Sequence, residues 1–203
     1  LRVTNNTALN FQPGSFVTVP YNSSYNLGRK FAFLATLKLH EKNRQQLLLH
    51  KWEDGYVNGS LVQSYGWYID SNNNLTLTLA DNKENYFSVT HNANLTLEID
   101  KGIGIGVIVD LDAKTVKFIK NQTVVDGNIV YNGMGYHYSR LDQFGAVKNS
   151  TIPLSIGNYT SQLQGDYSLI TNLNADLSNV ASVVEEIKPE EVTKIFYDMG
   201  LRD

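Results

Sequence analysis

The sequence predicts an all-β fold, an antiparallel two-sheet sandwich with one short C-terminal helix. Three observations support this prediction. Short apolar or alternating segments recur along the chain and are bounded by Gly, Asn, Asp and Pro, which is typical of strands joined by tight turns. Apolar residues at helical spacing occur only in the tail. The 203 residues are enough for one sizeable core, although the chain has no cysteine.

Period-two patterning and turn residues place the strands in order. The predicted strands are Ala8–Phe11, Phe16–Val19, Lys30–Leu39, Gln46–Lys51, Gly66–Ile69, Asn74–Ala80, Tyr86–Thr90, Gly104–Asp110, Thr115–Lys120, Thr123–Val125, Leu154–Ile156, Tyr167–Asn172 and Ala181–Glu185. Two hairpins are strongly specified, because the residues at Asp70–Asn73 and Leu111–Lys114 favour turns. The string KGIGIG predicts a glycine-rich strand that another backbone approaches closely.

The tail predicts the helix. Pro189 suits a first helical position, the acidic residues that follow favour the helix dipole, and Gly200 ends the segment. One apolar face is expected to pack on the sandwich, and it consists of Val192, Ile195, Phe196 and Met199.

Composition limits the classes of partner. The net charge is −3 and no dense cluster of Lys or Arg is present, so nucleic acid is not expected as a partner. No apolar run reaches the length of a membrane span. We expect a single domain over residues 1–203, with residues 1–7 as an extended N-terminal arm.

Acceptor triplets for N-linked glycosylation are more frequent than random placement of these residue types would give. The eight sites are Asn5, Asn22, Asn58, Asn74, Asn94, Asn121, Asn149 and Asn158. They predict a glycoprotein that is extracellular or lies on a cell or virion surface. The alternative is that an Asn-rich β protein accumulates such triplets through its turns.

Five strings in order resemble the LamG-like jelly-roll domain of the concanavalin A-like lectin/glucanase superfamily. They are ALNFQPGSFVTVPYNSSYNLGRKFAFLATLKL, YGWYIDSNNNLTLTLAD, VDLDAKTVKFIKNQTVV, IPLSIGNY and NVASVVEEIKPEEVTKIFYDMG. The resemblance covers about residues 8–200 and implies a lectin-like jelly roll. The sequence departs from the family's usual aromatic or His pair before the central strand, where it has Gly102, Gly104 and Gly106.

Catalysis is not expected. Glycanases of the superfamily need paired carboxylates, and here Glu98 and Asp100 are followed by Lys101 and Gly102 in place of a third acid. No Ser-His-Asp or Cys-His set is present, and no two of the four histidines have zinc-ligand spacing. The sequence therefore predicts a protein that is not an enzyme.

No cofactor or metal is predicted, with calcium as the alternative left open. Oxygen atoms that could serve as calcium ligands occur in the Asp110/Asp112 turn, at Asp81/Asn82 and at Asp70–Asn73. The simpler interpretation is that these residues form β-turns.

Two aromatic segments are candidate binding loops. The segment Tyr131–Asn149 is rich in aromatic and charged residues, and the predicted ligand-binding residues in it are Tyr131, Tyr136, His137, Tyr138, Arg140 and Asp142. The segment His50–Trp67 adds Trp52 and Tyr56, whereas Trp67 lies within a strand and is expected in the core. Aromatic rings beside polar groups can stack on sugars or contact proteins. The alternative is an ordered loop that buries its own aromatic residues.

The sequence thus predicts a non-enzymatic surface or secreted glycoprotein that recognises glycan or protein through loops at the ends of the sandwich. The alternative is a structural subunit of a virion, surface layer or extracellular filament. In that alternative, self-assembly proceeds by addition of the Leu1–Thr7 arm to a neighbouring sheet.

Overall fold

The computed structural model describes residues 8–52, 56–57, 60–61, 63–83, 86–91, 95–130, 144–158 and 172–203. The strands in these ranges are β1 (Leu9–Phe11), β2 (Val17–Val19), β3 (Lys30–Leu39), β4 (Gln46–Lys51), β5 (Tyr56–Val57), β6 (Ser60–Leu61), β7 (Tyr65–Ile69), β8 (Leu75–Ala80), β9 (Tyr86–His91), β10 (Gly102–Asp110), β11 (Thr115–Lys120), β12 (Thr123–Val130), β13 (Leu154–Ile156) and β14 (Ala175–Val183). A 3₁₀ turn covers Ser23–Tyr25, and the helix α1 covers Pro189–Asp198.

Twelve strands form one antiparallel sheet in the order β1-β14-β3-β10-β11-β12-β9-β8-β7-β4-β13-β2. The sheet curls at β12, which pairs with β11 through its first half and with β9 through its second half. The sheet thus has a first half, from β1 to β11 in the strand order, and a second half, from β9 to β2. These two halves of the sheet face each other, as in a jelly-roll sandwich. The short strands β5 and β6 form a separate hairpin. The predicted all-β fold is confirmed.

The core lies between the two halves of the curled sheet. Alternate residues of each strand point inward, so Phe33 from the first half meets Trp67 from the second with ring centroids 6.0 Å apart. Trp67 is fully buried, as the sequence predicts. Large aromatic side chains at such positions supply much of the apolar area that stabilises a sandwich.

Several predicted strands agree with the structure residue for residue: Lys30–Leu39, Gln46–Lys51, Thr115–Lys120 and Leu154–Ile156. The predicted Ala181–Glu185 strand is wrong in extent, because β14 covers Ala175–Val183. A register shift against β3 between Leu177 and Asn179 interrupts the alternation that the prediction relied on. Of the predicted Tyr167–Asn172 strand, residues 167–171 lie outside the described residues, and Asn172 is not in a strand.

The helix α1 packs on the outer face of the first half. A methyl group at Gly104 of β10 would lie 2.5 Å from the Phe196 ring, so the glycine lets this ring rest directly on the strand. The close approach predicted for the glycine-rich strand is thus made by a helix side chain and not by a backbone. Val192 and Phe196 are buried, but Ile195 and Met199, which were also expected to pack, are 43% and 47% exposed.

Candidate functional site

One end of the sandwich collects the strand ends that lead into both candidate segments. Lys51 at the end of β4 pairs with Tyr65 at the start of β7, and Ala80 at the end of β8 pairs with Tyr86 at the start of β9. Val130 at the end of β12 pairs with the neighbouring part of β9. We call this edge, defined by Lys51, Tyr65, Ala80, Tyr86 and Val130, the Lys51 end.

Both predicted binding segments start from the Lys51 end. Trp52 directly follows Lys51, and residue 131 directly follows Val130. The second segment returns to the same place, because the Phe144 ring packs edge-on against Phe87 of β9 with centroids 4.7 Å apart. Segments far apart in sequence are therefore neighbours in the fold.

The returning residues 144–150 lie across this end and tie the strands together. The Lys148 amide donates a hydrogen bond to the Ala80 carbonyl (2.8 Å), and the Ser64 hydroxyl donates one to the Lys148 carbonyl. The Gly145 amide donates to the Asp81 carboxylate (3.1 Å). The side-chain amide of Asn149 both accepts from and donates to the Leu27 backbone, at 2.9 and 3.2 Å. The base of the site is consequently well fixed by backbone bonds.

Lys51 is an unusual residue at this end. Its side chain shares the inward face with its cross-strand partner Tyr65 and is only 2% exposed. The ammonium nitrogen lies 4.9 Å from the centroid of the Tyr21 ring. Among the described residues it makes no hydrogen bond and no ion pair. Burial lowers the pKa of Lys51 to about 8, because desolvation disfavours the charged form.

The Tyr21 ring that contacts the Lys51 ammonium is itself 39% exposed. Its hydroxyl accepts a hydrogen bond of 3.4 Å from Asn26 Nδ2. The other atom of that amide, Asn26 Oδ1, is buried without a hydrogen-bond partner. Tyr65 lies deeper, where burial raises the pKa of its phenol well above the usual value. The site thus combines an accessible ring with a buried cation and a buried acceptor.

The predicted ligand-binding residues lie partly within and partly outside the described residues. Trp52 is half-buried at the Lys51 end, and the backbone of Tyr56 forms the β5–β6 hairpin in the same connection. The others lie outside the described residues: Tyr131, Tyr136, His137, Tyr138, Arg140 and Asp142. Sequence reasoning missed Lys51, Tyr21 and Asn26, because a lysine that ends an apolar strand normally reaches solvent.

The acceptor asparagines also occupy different environments. Asn22 and Asn149 are exposed, and Asn74 is half-buried. Asn121 and Asn158 are fully buried. Asn5, Asn58 and Asn94 lie outside the described residues. Glycosylation itself stays a prediction.

The outer face of β8 and β9 carries a row of hydroxyl side chains, of which Thr76 and Ser88 are buried. Leu77 and Leu79 point into the core, so Thr76 and Thr78 point outward. The hydroxyls of Thr78 and Ser88 are 2.7 Å apart across the two strands. Because Thr76 and Ser88 are buried and Ser88 is already bonded to Thr78, this row is not a candidate ligand site.

The acids near β10 are engaged in ion pairs. Glu98 binds Lys120 at 2.9 Å and Lys101 at 3.3 Å. Burial opposes ionisation of Glu98, but the hydrogen bonds from Lys120 and its neighbours lower its pKa overall. A carboxylate with a lowered pKa is a poor general acid. Asp100 instead lies 2.8 Å from His40.

The turn residues considered for calcium bind backbone amides. Asp110 Oδ1 accepts from Asp112 and Ala113, and Asp70 Oδ1 accepts from Asn72 and Asn74. In the part of the chain that the structure describes, no three His, Asp or Glu side chains come together as metal ligands. No described helix is long and apolar enough to cross a bilayer.

Comparison with known proteins identifies the fold. No family model and no curated protein matches the chain. The structure is similar to the CBM40 of Ruminococcus gnavus IT-sialidase bound to α2,3-sialyllactose, with a TM-score of 0.65, 11% identity, and coverage of 97% of both chains. This is a lectin-like jelly-roll fold.

Two further structures share it. One concerns botulinum neurotoxin type C, whose cell entry depends on interaction with two ganglioside molecules; its TM-score is 0.56 at 14% identity, over 91% of this chain and 40% of that chain. The other is the native heptameric SAP-like pentraxin from Limulus polyphemus, with a TM-score of 0.53 and 10% identity over 89% of this chain and 81% of that one.

Proposed function

We propose that this protein is a LamG-like, non-enzymatic glycan-recognition module that binds its ligand at the Lys51 end. The observation that carries the proposal is the convergence there of two aromatic segments that are distant in sequence. Trp52 and the residue after Val130 leave the sheet from the same end, beside the exposed ring of Tyr21. Loops on a rigid sandwich commonly carry binding function.

The chemistry of this end suits sugars. Aromatic rings offer a flat apolar face to a pyranose, while amide and ammonium groups bind its oxygens. Residues 144–150 are hydrogen-bonded to the ends of the strands and would hold these groups in place. Little conformational entropy of the protein would therefore be lost on binding.

The similar structures support a glycan ligand. One of them is a carbohydrate-binding module with sialyllactose bound, and another concerns a toxin that interacts with gangliosides. An extracellular or surface setting is part of the same proposal. It rests on the eight acceptor triplets, of which Asn22 is exposed in the fold.

The test is a glycan array with the wild-type protein and the Trp52→Ala variant. Loss of one stacking ring should weaken binding by roughly 2- to 12-fold, from about 0.5–1.5 kcal/mol for an aromatic contact. Tyr197→Ala is the matched control, because Tyr197 is an exposed aromatic residue on α1. Equal loss in both variants, or no glycan signal at all, would contradict the proposal.

A second candidate is the structural subunit that assembles by strand addition. It is favoured by the edge of β14, since β1 pairs with Ala175–Leu177 alone and no described residue pairs with that edge over Asn179–Val183. A groove of about 670 Å³ adjoins this edge, between β14 and α1. The Leu1–Thr7 arm lies outside the described residues. Native mass spectrometry should then show oligomers that Ala181→Pro abolishes, and a monomer at all concentrations would count against assembly.

A further inference from the structure

The strand β14 is paired along its whole length on one side and only in part on the other. On one side it pairs with β3 from Ala175 to Val183. On the other side β1 pairs with Ala175–Leu177, and no described residue pairs with Asn179–Val183. Backbone N–H and C=O groups along such an open edge can accept a further strand.

A groove of about 670 Å³ runs along this open edge. Its lining includes Val180, which packs against the main core, and Ala181, which packs on the side of α1. The groove therefore lies beside the strand and opens onto both of its faces. A smaller cavity of about 40 Å³ lies between Leu9 and residues 177–180, so the open space starts where β1 ends.

The direction of β1 points the preceding chain along this groove. β1 is antiparallel to β14 and its last described pair is Leu9 with Leu177, so an extended chain before Leu9 would run toward Val183. Asn10 fixes the register of β1, because its Nδ2 donates a hydrogen bond of 2.6 Å to the Asp176 carboxylate. Residues 1–7 lie outside the described residues. Seven extended residues span about 23 Å at about 3.3 Å each, which is more than the five residues of open edge require.

The bulge in β14 determines which residues such a continuation would bring together. Ser178 is the extra residue, since the register against β3 shifts between Leu177 and Asn179. With this bulge kept, Thr7 comes opposite Val180, and both side chains lie on the core side, as those of Leu9 and Leu177 do. The next pairs would be Asn6 with Ala181, Asn5 with Ser182 and Thr4 with Val183.

The residue types paired in this register are compatible. Ser182 Oγ is buried without a hydrogen-bond partner, and Asn5 would bring a side-chain amide that can donate and accept. Beyond the end of the strand, Arg2 would lie opposite the exposed Glu185. Opposite charges across two strands are favourable, and Arg2 is the only charged side chain among the first seven residues. The segment therefore complements the edge in hydrogen bonding and in charge.

We propose that Leu1–Thr7 binds in the groove beside β14 of its own chain, as a continuation of β1 that closes the open edge. This placement of the arm is independent of glycan recognition. In the structural-subunit alternative, the same segment pairs with a neighbouring molecule instead. The intramolecular arrangement is favoured because the segment is joined directly to β1, which raises its effective concentration at the edge.

Engineered disulfides test this register, because the chain has no cysteine of its own. The two test pairs are Asn5→Cys with Ser182→Cys, and Asn6→Cys with Ala181→Cys. Adjacent antiparallel pairs alternate between a wider and a closer spacing, so one of the two has the closer spacing that suits a disulfide. We expect that pair to lose both free thiols in a species of monomer mass, as measured by mass spectrometry without reductant. Asn5→Cys with Val124→Cys is the control and should keep its thiols, because β12 stands four strands from β14.

The other outcomes would overturn the proposal. Disulfide-linked dimers in place of the intramolecular bond would assign the edge to the arm of a second copy. Free thiols in both test pairs after oxidation, or equal oxidation of the control, would show that the arm does not occupy this edge.

Hydrogen exchange of the full chain gives a second measurement without cysteine variants. Asn5→Pro/Asn6→Pro removes the backbone donor at two adjacent positions, one of which would face β14. Amides of Asn179–Val183 that point away from β3 should then exchange roughly 2- to 12-fold faster, the range for loss of one hydrogen bond. Amides of β3 serve as the internal control and should be unaffected. Unchanged exchange along Asn179–Val183 would contradict the proposal.

Discussion

Asn121 is a buried polar residue whose side-chain amide has a hydrogen-bond partner at both of its polar atoms. It adopts a positive φ of 47° in the β11–β12 turn, where asparagine is tolerated. Its Oδ1 accepts from the Gly104 amide at 2.8 Å, and its Nδ2 donates to the Arg202 carbonyl at 3.1 Å. The nitrogen that would carry a glycan is thus already used to hold the C-terminal residues.

This difference among the triplets predicts which sites are modified. In a eukaryotic expression host we expect a glycan on Asn22 and none on Asn121 or Asn158, because the last two are fully buried. Glycopeptide mass spectrometry of folded protein measures the occupancy. A glycan on Asn121 in folded material would contradict this expectation, and Asn22→Gln should lower the intact mass by one glycan as a control.

His40 joins three parts of the chain that are remote in sequence. Its Nδ1 lies 2.8 Å from Asp100 and its Nε2 lies 3.2 Å from Asp176, which also accepts a bond from Asn10. The hydrogen bond to Asp100, with that to Asp176, raises the pKa of His40 above 6.5. The bonds from Asn10 and His40 lower the pKa of Asp176 below 3.8, and Lys38 acts in the same direction.

The pH dependence of stability follows from these directions. The contribution of His40 is fully present below its unfolded pKa of 6.5 and is lost as the pH rises through the higher folded pKa. The contribution of Asp176 is lost in the opposite direction, as the pH falls through its folded pKa. We expect His40→Gln to lower the free energy of unfolding more at pH 6 than at pH 8, as measured by urea denaturation. A difference independent of pH would contradict this assignment.

At the scale of elements, the glycines of β10 decide where α1 can lie. The sequence marks Gly102, Gly104 and Gly106 as unusual, but not which of them matters. In the structure Gly104 lies under Phe196, whereas a methyl group at Gly102 would meet Leu201 at an ordinary 3.7 Å. The strand thus makes room for one ring at one position.

Gly104→Val should therefore destabilise the protein by about 1–3 kcal/mol, the usual cost of overpacking a filled core. Thermal or urea denaturation measures the change. Gly102→Val, in the same strand, is the control and should cost much less. Adding Phe196→Ala to Gly104→Val should remove the extra penalty, and additive effects of the two changes would argue against the contact.

Element boundaries were predictable where the pattern was regular. Lys30–Leu39 and Thr115–Lys120 are delimited by turn residues on both sides, so their ends follow from local sequence. The extent of β14 did not follow, because its bulge near Ser178 breaks the alternation. Helical spacing predicted α1, but of the four residues on its expected apolar face only Val192 and Phe196 are buried.

At the scale of the whole molecule, the curl of the sheet brings its two edge strands together. β1 and β2 follow each other in sequence but stand at opposite ends of the strand order. Phe11 of β1 nevertheless lies where a methyl group on Gly157, beside β13, would be. Gly157 has a φ of 83°, so glycine is required there for both space and backbone conformation.

The sequence by itself determined the β class, most strand positions, the C-terminal helix and the two aromatic segments that are candidates for binding. These features depend on local periodicity and turn chemistry, which neighbouring residues specify. Only the tertiary structure decided that both segments meet at the Lys51 end and that Lys51 is buried under Tyr21. It also decided that Asn121 is enclosed. The physical reason is that these properties depend on strand order and on packing between residues far apart in the chain, which no local pattern specifies.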